Sequence, residues 1–355
     1  MSKHKVPDCL FTDIKTPCAF MDRFCAVIEG HFPDRGLPEK VAVAVSGGAD
    51  SMVLCHALLE YVAAYSPKTH VYVLSVDHRL RSEAADEVLF VGQQVGALPC
   101  SSHHILVWDG GAAQETRIEE QAREARYGLL FDFMAEHGIG HLFVGHHQND
   151  QAETFLFRLA KGSGLDGLAG MSVLSEMSYE ACDFVLCRPL LGEGKAEIEE
   201  YAALCSIPYI KDPSNDDERY ARVRLRNSME VLAAEGLSSK RLSVTAKRLE
   251  RARNALDYYV DREYKNLLLS TDADRVVLDC KKLAGLPYEV VIRIVLKSMA
   301  VLHGEAGGYG PRLSRVEDLC HDLICSKKSF RKRTLGGVIF EKKNETGEFL
   351  LQLEV

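Results

Sequence analysis

Residues 41–54 read VAVAVSGGADSMVL. The run VAVAV has the character of a strand apolar on both faces, and Met52, Val53 and Leu54 resume the apolar pattern as the opening of a helix. Between them stand Ser46, Gly47, Gly48, Ala49, Asp50 and Ser51. A strand that ends in a glycine-rich turn feeding a helix leaves backbone N–H groups free where an anion can sit, and the helix dipole adds about half a positive charge there. Gly47 and Gly48 permit close approach and positive φ. Ser46 and Ser51 offer hydroxyl donors to phosphate oxygens, and Asp50 can hold Mg²⁺ against a polyphosphate. No Gly-Lys-Ser/Thr follows, so this is not a Walker A loop.

The rest of the chain extends that pattern. Strand-like runs recur at 71–78, 103–108 and 141–146, with weaker ones at 184–191 and 207–212. Stretches of 3.6-residue periodicity at 50–64, 82–97, 117–137, 149–161 and 195–205 alternate with them. That alternation predicts an α/β domain whose parallel sheet is flanked by helices. DPSNDDE (212–218) is dense in turn residues and marks a boundary. Beyond it, 219–236, 238–268, 287–303 and 312–325 read as helices, and 333–355 as a hairpin. The expected domains are an N-terminal extension with a helix (1–36), a catalytic α/β domain (37–217), a helical domain (218–305) and a short α+β C-terminal appendage (306–355).

Composition narrows the class. Hydrophobic residues are 46% and charged residues 26% of 355, ordinary for a globular protein, and without an uncharged apolar run of 18 residues no membrane span is expected. The N-terminus lacks the apolar core of a signal peptide, and eleven scattered cysteines without a Cys-x-x-Cys pair read as reduced thiols. A cytoplasmic location is expected. The net charge of −8 divides unevenly: residues 1–217 carry −15 and residues 218–355 carry +7. The basic part suits a polyanion.

Two further motifs sharpen the reading. VDHRLR (76–81) ends the second strand, where a nucleotide's base and ribose often lie in such sheets. GHHQNDQAETFLFRLAKGSGLDGLAGM (145–171) places His146 and His147 at a strand end, with Gln148 or Asn149 as a helix cap. Asp150 and Glu153 then share one helical face.

SGGADS resembles the phosphate-binding motif of the PP-loop ATP pyrophosphatases, a family with an adenine nucleotide α-hydrolase-like fold. With VDHRLR, the 145–171 block, EQAREARYGLL (120–130), RPLL (188–191) and KDPSND (211–216), the chain is similar to the tRNA(Ile)-lysidine synthetases over about residues 37–230. Asn149 stands where that family's His-His-x-Asp-Asp-Gln run has its first aspartate, and Arg222-Val223-Arg224-Leu225-Arg226 replaces an Arg-Asn-x-Ile-Arg element.

The resemblance implies a ligase that uses ATP and Mg²⁺ to join L-lysine to the wobble cytidine of tRNA(Ile) with anticodon CAU, giving lysidine, AMP and pyrophosphate. It implies ATP binding by Ser46, Gly47, Gly48, Ala49, Asp50, Ser51, Asp77, His78 and His146, with Mg²⁺ on Asp50. Asp50, Asp150 and Arg222 would be catalytic, and Asp150 or Glu153 would anchor the lysine ammonium. Arg123, Arg126, Arg222, Arg226, Lys240, Arg241, Lys247 and Arg248 would contact tRNA. No obligatory protein partner is evident. The alternatives are another PP-loop enzyme that modifies tRNA, a small-molecule amidating relative, and a tRNA-binding relative without catalysis. The first, as a thiolation enzyme, would need paired cysteines; the second would need an ammonia source.

Overall fold

The computed structural model describes residues 19–33, 36–79, 84–95, 98, 101–108, 118–180, 182–210, 221–304, 311–324, 330–343 and 345–354. The chain forms two compact units that divide between Glu250 and Arg251.

The first unit begins with α1 (Ala19–His31), β1 (Lys40–Ala44), α2 (Ala49–Tyr65), β2 (His70–Asp77), α3 (Ala84–Val95) and β3 (Ser101–Val107). It continues through α4 (Ile118–His137), β4 (His141–Phe143), α5 (Gln148–Ala160), α6 (Leu165–Leu168), β5 (Leu174–Tyr179) and β6 (Cys182–Cys187). It ends with α7 (Lys195–Leu204), α8 (Ala221–Ala234) and the first part of α9 (Ser239–Leu267). The sheet order is β3-β2-β1-β4-β6-β5. Pairings from β3 through β6 are parallel, and only β5 runs antiparallel to its neighbour.

The central position of β1 follows from its sequence. Val41 and Val43 pack on one face with Met52, Leu58 and Tyr61, while Ala42 packs on the other with Leu74, Leu130 and Met134. The alternation of faces along a strand lets one short apolar run serve both layers. Helix α2 is buried almost all round, from Ala49 to Val62, so it shows no polar stripe. Strand β5 (LSEMSY) is polar and largely exposed, as suits an edge. Its lack of an apolar run is why the sequence gives no sign of it. The segment expected as a strand at 207–212 has no strand over 207–210; residues 211 and 212 lie outside the described residues.

Helices α5, α8 and α9 meet through Ala152, Phe155, Leu156, Leu242 and Ala246, with Leu225, Met229 and Leu232 alongside. Full burial of a side chain such as Phe155 contributes about 2 kcal/mol. Along α9 the buried stripe of Leu242 and Ala246 is not continued at Ala252, which is exposed.

In the second unit, Val260, Tyr264 and Leu267 of α9 are buried. There follow β7 (Leu268–Thr271), β8 (Arg275–Asp279), α10 (Cys280–Ala284), α11 (Tyr288–His303) and α12 (Leu313–Ile324). The chain closes with β9 (Arg333–Leu335), β10 (Val338–Lys343) and β11 (Glu348–Leu353). These strands form one antiparallel sheet in the order β7-β8-β11-β10-β9. The hairpin expected at 333–355 is therefore part of a five-stranded sheet that includes β7 and β8. It also contains two turns. Gly336 and Gly337, at φ +57° and +73°, make the two-residue turn between β9 and β10, which needs positive φ at both positions. Arg293, buried on α11, is held by Asp257 and Glu289 at 2.9 Å each.

Candidate active site

The site lies at the carboxyl ends of β1, β2 and β4, within the first unit. After β1, Val45 N donates to Leu74 O at 2.9 Å and keeps the strand direction one residue longer. Gly47 then takes φ +89°. A Cβ there would stand 3.2 Å from Ile210 Cδ1, so both the backbone angle and the close neighbour ask for glycine. Gly48 is the N-cap of α2 and provides no side-chain cap to the first-turn amides. Uncapped first-turn amides and a helix dipole are the features that anion binding at this turn, as expected from the sequence, would use.

The two serines hold the turn in shape. Ser51 Oγ donates to Gly48 O at 3.0 Å and accepts from Ser46 N at 3.2 Å; Ser46 Oγ lies 3.3 Å from it. Gly145, after β4, comes against the same turn from the other side. A Cβ on Gly145 would stand 3.1 Å from the Asp50 carbonyl carbon and from Ser51 N. Close backbone approach here fixes β4 against the start of α2.

Asp50 is the charged centre of the arrangement. Lys195 Nζ donates to its two carboxylate oxygens at 2.8 and 3.0 Å. His147 Nε2 lies 3.6 Å from Asp50 Oδ2 and 3.6 Å from Asp150 Oδ2. Burial alone would raise the Asp50 carboxyl, but His147 and Lys195 outweigh it and hold Asp50 below its ordinary range. For His147, burial works against the charged ring while the Asp50 and Asp150 carboxylates favour it, and the net effect is upward.

His147, rather than Gln148 or Asn149, caps α5. Its Nδ1 accepts from Asn149 N at 3.2 Å, while Asp150 Oδ2 accepts from His147 N at 2.9 Å, a reciprocal capping box. The cap asks for a proton on Nε2, which faces the two carboxylates. Asp150 thus has a local structural duty, and Glu153 is buried at 5% exposure one turn further along α5.

A cavity of about 730 Å³ opens over this surface. Ser46, Gly48, Ala49, Asp50 and Ser51 line it, together with His78, His146, Arg126 and Tyr127. Asp77 is buried beside it, and its Oδ1 accepts from Arg79 N at 2.9 Å, which shapes the turn after β2. Arg123 is exposed and lies with Arg126 against the Tyr127 ring, at 5.4 and 5.3 Å. Asp150 and Glu153 are not among the lining residues. Lys240, Arg241, Lys247 and Arg248 are exposed on α9, opposite the stripe of Leu242 and Ala246. Arg222 and Arg226 belong to α8, and their side chains lie outside the described residues, as do Leu80, Arg81 and the 211–216 stretch.

Among the lining residues that the sequence reading did not single out are Lys195, Glu199, Tyr209 and Ile210. Lys195 carried one signal. It opens α7 directly after Gly192-Glu193-Gly194, and a lysine in the first turn opposes the helix dipole. Asp50 across the cavity floor compensates for that cost.

Comparison with known proteins defines the class first. Residues 28–232 match the PP-loop domain family, which makes the chain an ATP-using enzyme of that class. The chain is also 40% identical over 304 residues to a tRNA(Ile)-lysidine synthase from Methylobacterium nodulans, covering 84% of this chain and 86% of that one. It is 35% identical over 304 residues to the tRNA(Ile)-lysidine synthase from Ruegeria pomeroyi, covering 85% and 68%. The chain belongs to the tRNA(Ile)-lysidine synthase family. In fold it is similar to a U34-tRNA thiolase, NcsA, from Methanococcus maripaludis, with a TM-score of 0.52 and 18% identity over 65% of this chain and 80% of that one. Among the described residues, no helix is long and apolar enough to cross a membrane.

Proposed function

We propose that this chain joins L-lysine to the 2-position of the wobble cytidine of tRNA(Ile) with anticodon CAU, consuming ATP and releasing AMP and pyrophosphate. The observation that carries this reading is the single cavity whose wall runs from the SGGADS turn to His146 and Arg126, in a chain of the lysidine synthase family. Both halves of the reaction need one chamber: a place for a triphosphate and a place for a base.

In the first half, the cytidine 2-carbonyl oxygen attacks the α-phosphorus of ATP, and the bond to pyrophosphate breaks. The amides at the start of α2 receive the phosphate oxygens, and Lys195 supplies a cation at the edge of the same turn. Asp50, kept ionised and presenting a hard oxygen donor, fits Mg²⁺, which takes one or two carboxylates alongside substrate phosphates. Mg²⁺ held there would neutralise charge on the leaving pyrophosphate. In the second half, the lysine ε-amine attacks C2 of the adenylated base, and AMP departs with the electron pair of the broken C–O bond. The amine has an ordinary pKa of about 10.4, so a carboxylate must bind the ammonium and take up a proton. Asp150 or Glu153 is assigned that part, with Asp150 nearer to the charged cluster.

The basic face of α9, with Arg222 and Arg226 of α8, is assigned to the tRNA backbone, where phosphate contacts position the substrate. We place the protein in the cytoplasm, acting without an obligatory protein partner. With ATP, Mg²⁺ and a tRNA(Ile) CAU transcript but no lysine, the enzyme is expected to release pyrophosphate and leave an adenylated RNA that added lysine converts to product and AMP. Absence of pyrophosphate release, with or without lysine, contradicts the reading.

A further inference from the structure

Arg188 follows the last residue of β6 and is 8% exposed. A buried guanidinium normally faces a carboxylate, because removing its charge from water is costly without one. Here one terminal nitrogen donates to Ser172 O at 2.9 Å and to Ser175 Oγ at 2.8 Å, both neutral oxygens. Its Nε is buried without a hydrogen-bond partner. Among the described residues no ion pair involves Arg188, Arg123 or Arg126. The surroundings add further positive charge: Arg123 acts on Arg188, and Arg123, Arg126 and Arg188 all act on His146. His146 is half-buried with a buried, unpartnered Nδ1, and burial pushes its pKa down to about 4, so it stays neutral beside them. Asp150 is the carboxylate that acts on His146, and its Oδ2 is taken by the α5 cap.

Arg123 and Arg126 against the Tyr127 ring, with Arg188 and a neutral imidazole in the same positive field and no ion-paired carboxylate among the described residues, make a site for an anion. We propose that Arg188, with Arg123 and Arg126, is a phosphodiester subsite that grips the RNA strand next to the nucleotide being modified. The assignment rests on the lysidine-forming reading above. Sheet topology separates this subsite from the ATP cradle. The cradle follows β1, His146 follows β4 and Arg188 follows β6, and these strands are successive neighbours. Two strand spacings amount to about 10 Å, more than a direct contact allows to phosphates seated on the α2 amides. Arg126 and His146 line the same cavity as the cradle. The guanidinium geometry suits two-pronged contact with a phosphate, and its charge persists at any working pH.

The test uses an anticodon stem-loop RNA of tRNA(Ile) CAU in which single phosphodiesters flanking nucleotide 34 are replaced by neutral methylphosphonates. For the unaltered enzyme, one replacement is expected to weaken binding about 10-fold. Arg188→Gln is expected to weaken binding of the all-phosphate RNA about 10-fold, to lose nothing further on that neutralised RNA, and to leave the KM for ATP within about 2-fold. The slope of log affinity against log salt should fall by about 0.7, the loss of one single-strand phosphate contact. Independent losses that multiply at every flanking diester overturn the subsite, as does a raised KM for ATP with RNA affinity unchanged, which would assign Arg188 to the nucleotide. Arg123→Gln, on the exposed side of the cluster, provides the same cycle if the Arg188 variant does not fold. An unaltered enzyme that neither binds nor modifies this RNA overturns the lysidine reading and the subsite with it. An enzyme that modifies it without coupling to Arg188 or Arg123 overturns the subsite alone.

Discussion

Lys195 Nζ stands 2.8 Å from Asp50 Oδ1, joining the first turns of two helices whose residues are 145 positions apart in the chain. The pair sets a cation and an anion side by side in the wall of the cavity that the SGGADS turn lines. Both side chains are partly exposed, so the pair contributes only about 0–1 kcal/mol to stability. Its value is in the chemistry. Lys195→Ala is expected to lower kcat for pyrophosphate release about 10²–10³-fold, the usual loss of one donor to developing negative charge, with thermal stability almost unchanged. A variant that retains its kcat removes Lys195 from the phosphate site.

Asp50→Ala removes the carboxylate that both Lys195 and His147 face. ATP turnover is expected to be lost while tRNA affinity stays within about 2-fold of the unaltered enzyme. Filter binding and pyrophosphate release measure the two separately. Surviving turnover contradicts the role given to the loop.

Gly145→Ala tests the close approach of β4 to α2. The added methyl meets backbone atoms of Asp50 and Ser51 at 3.1 Å, and these cannot swing aside as a side-chain tip can. The cost is about 1–3 kcal/mol of stability, together with a displaced cradle and a raised KM for ATP. Denaturant unfolding and ATP kinetics are expected to change together. Unchanged values in both mean that the turn relaxes freely.

His56 lies inside α2 at 5% exposure, and burial lowers its pKa from 6.5 to about 4. Between those values the unfolded chain binds a proton that the folded protein does not, so stability falls as pH drops from about 6.5 towards 4. His56→Leu removes that titration. The melting temperature of the variant is expected to fall less steeply than that of the unaltered protein between pH 6.5 and 4.5. Parallel falls in the two proteins contradict the assignment.

On α9, Lys247 and Arg248 are exposed opposite the buried Ala246. The double substitution Lys247→Glu, Arg248→Glu is expected to weaken tRNA binding at least 10-fold and to reduce its salt dependence, with the KM for ATP unchanged. Equal tRNA affinity would make this a simple solvated face.

The elements legible in the sequence are those whose signal is local. VAVAV, SGGADS and the period of α5 and α11 each record the environment of their own residues, and strand, turn and helix stand where that pattern puts them. What escaped depends on distant partners. Lys195 looks like an ordinary surface lysine until Asp50 is seen opposite, and Arg188 looks like part of an apolar run until its lack of a carboxylate partner is seen. Strand β5 forms on an edge through pairing with β6, without an apolar run of its own. His147 replaces the expected cap because the β4 turn leaves its ring, rather than the Asn149 side chain, over the helix start. The division within α9 is likewise hidden, since one continuous helix serves two cores.

The central claim is tested most directly by incorporating labelled lysine into a tRNA(Ile) CAU transcript with ATP and Mg²⁺, beside a tRNA(Met) CAU transcript that shares the anticodon. The account expects label in the isoleucine transcript alone, at the wobble cytidine, with one AMP formed per lysine joined. Cleavage of ATP to AMP and pyrophosphate without any lysine entering the RNA would contradict it.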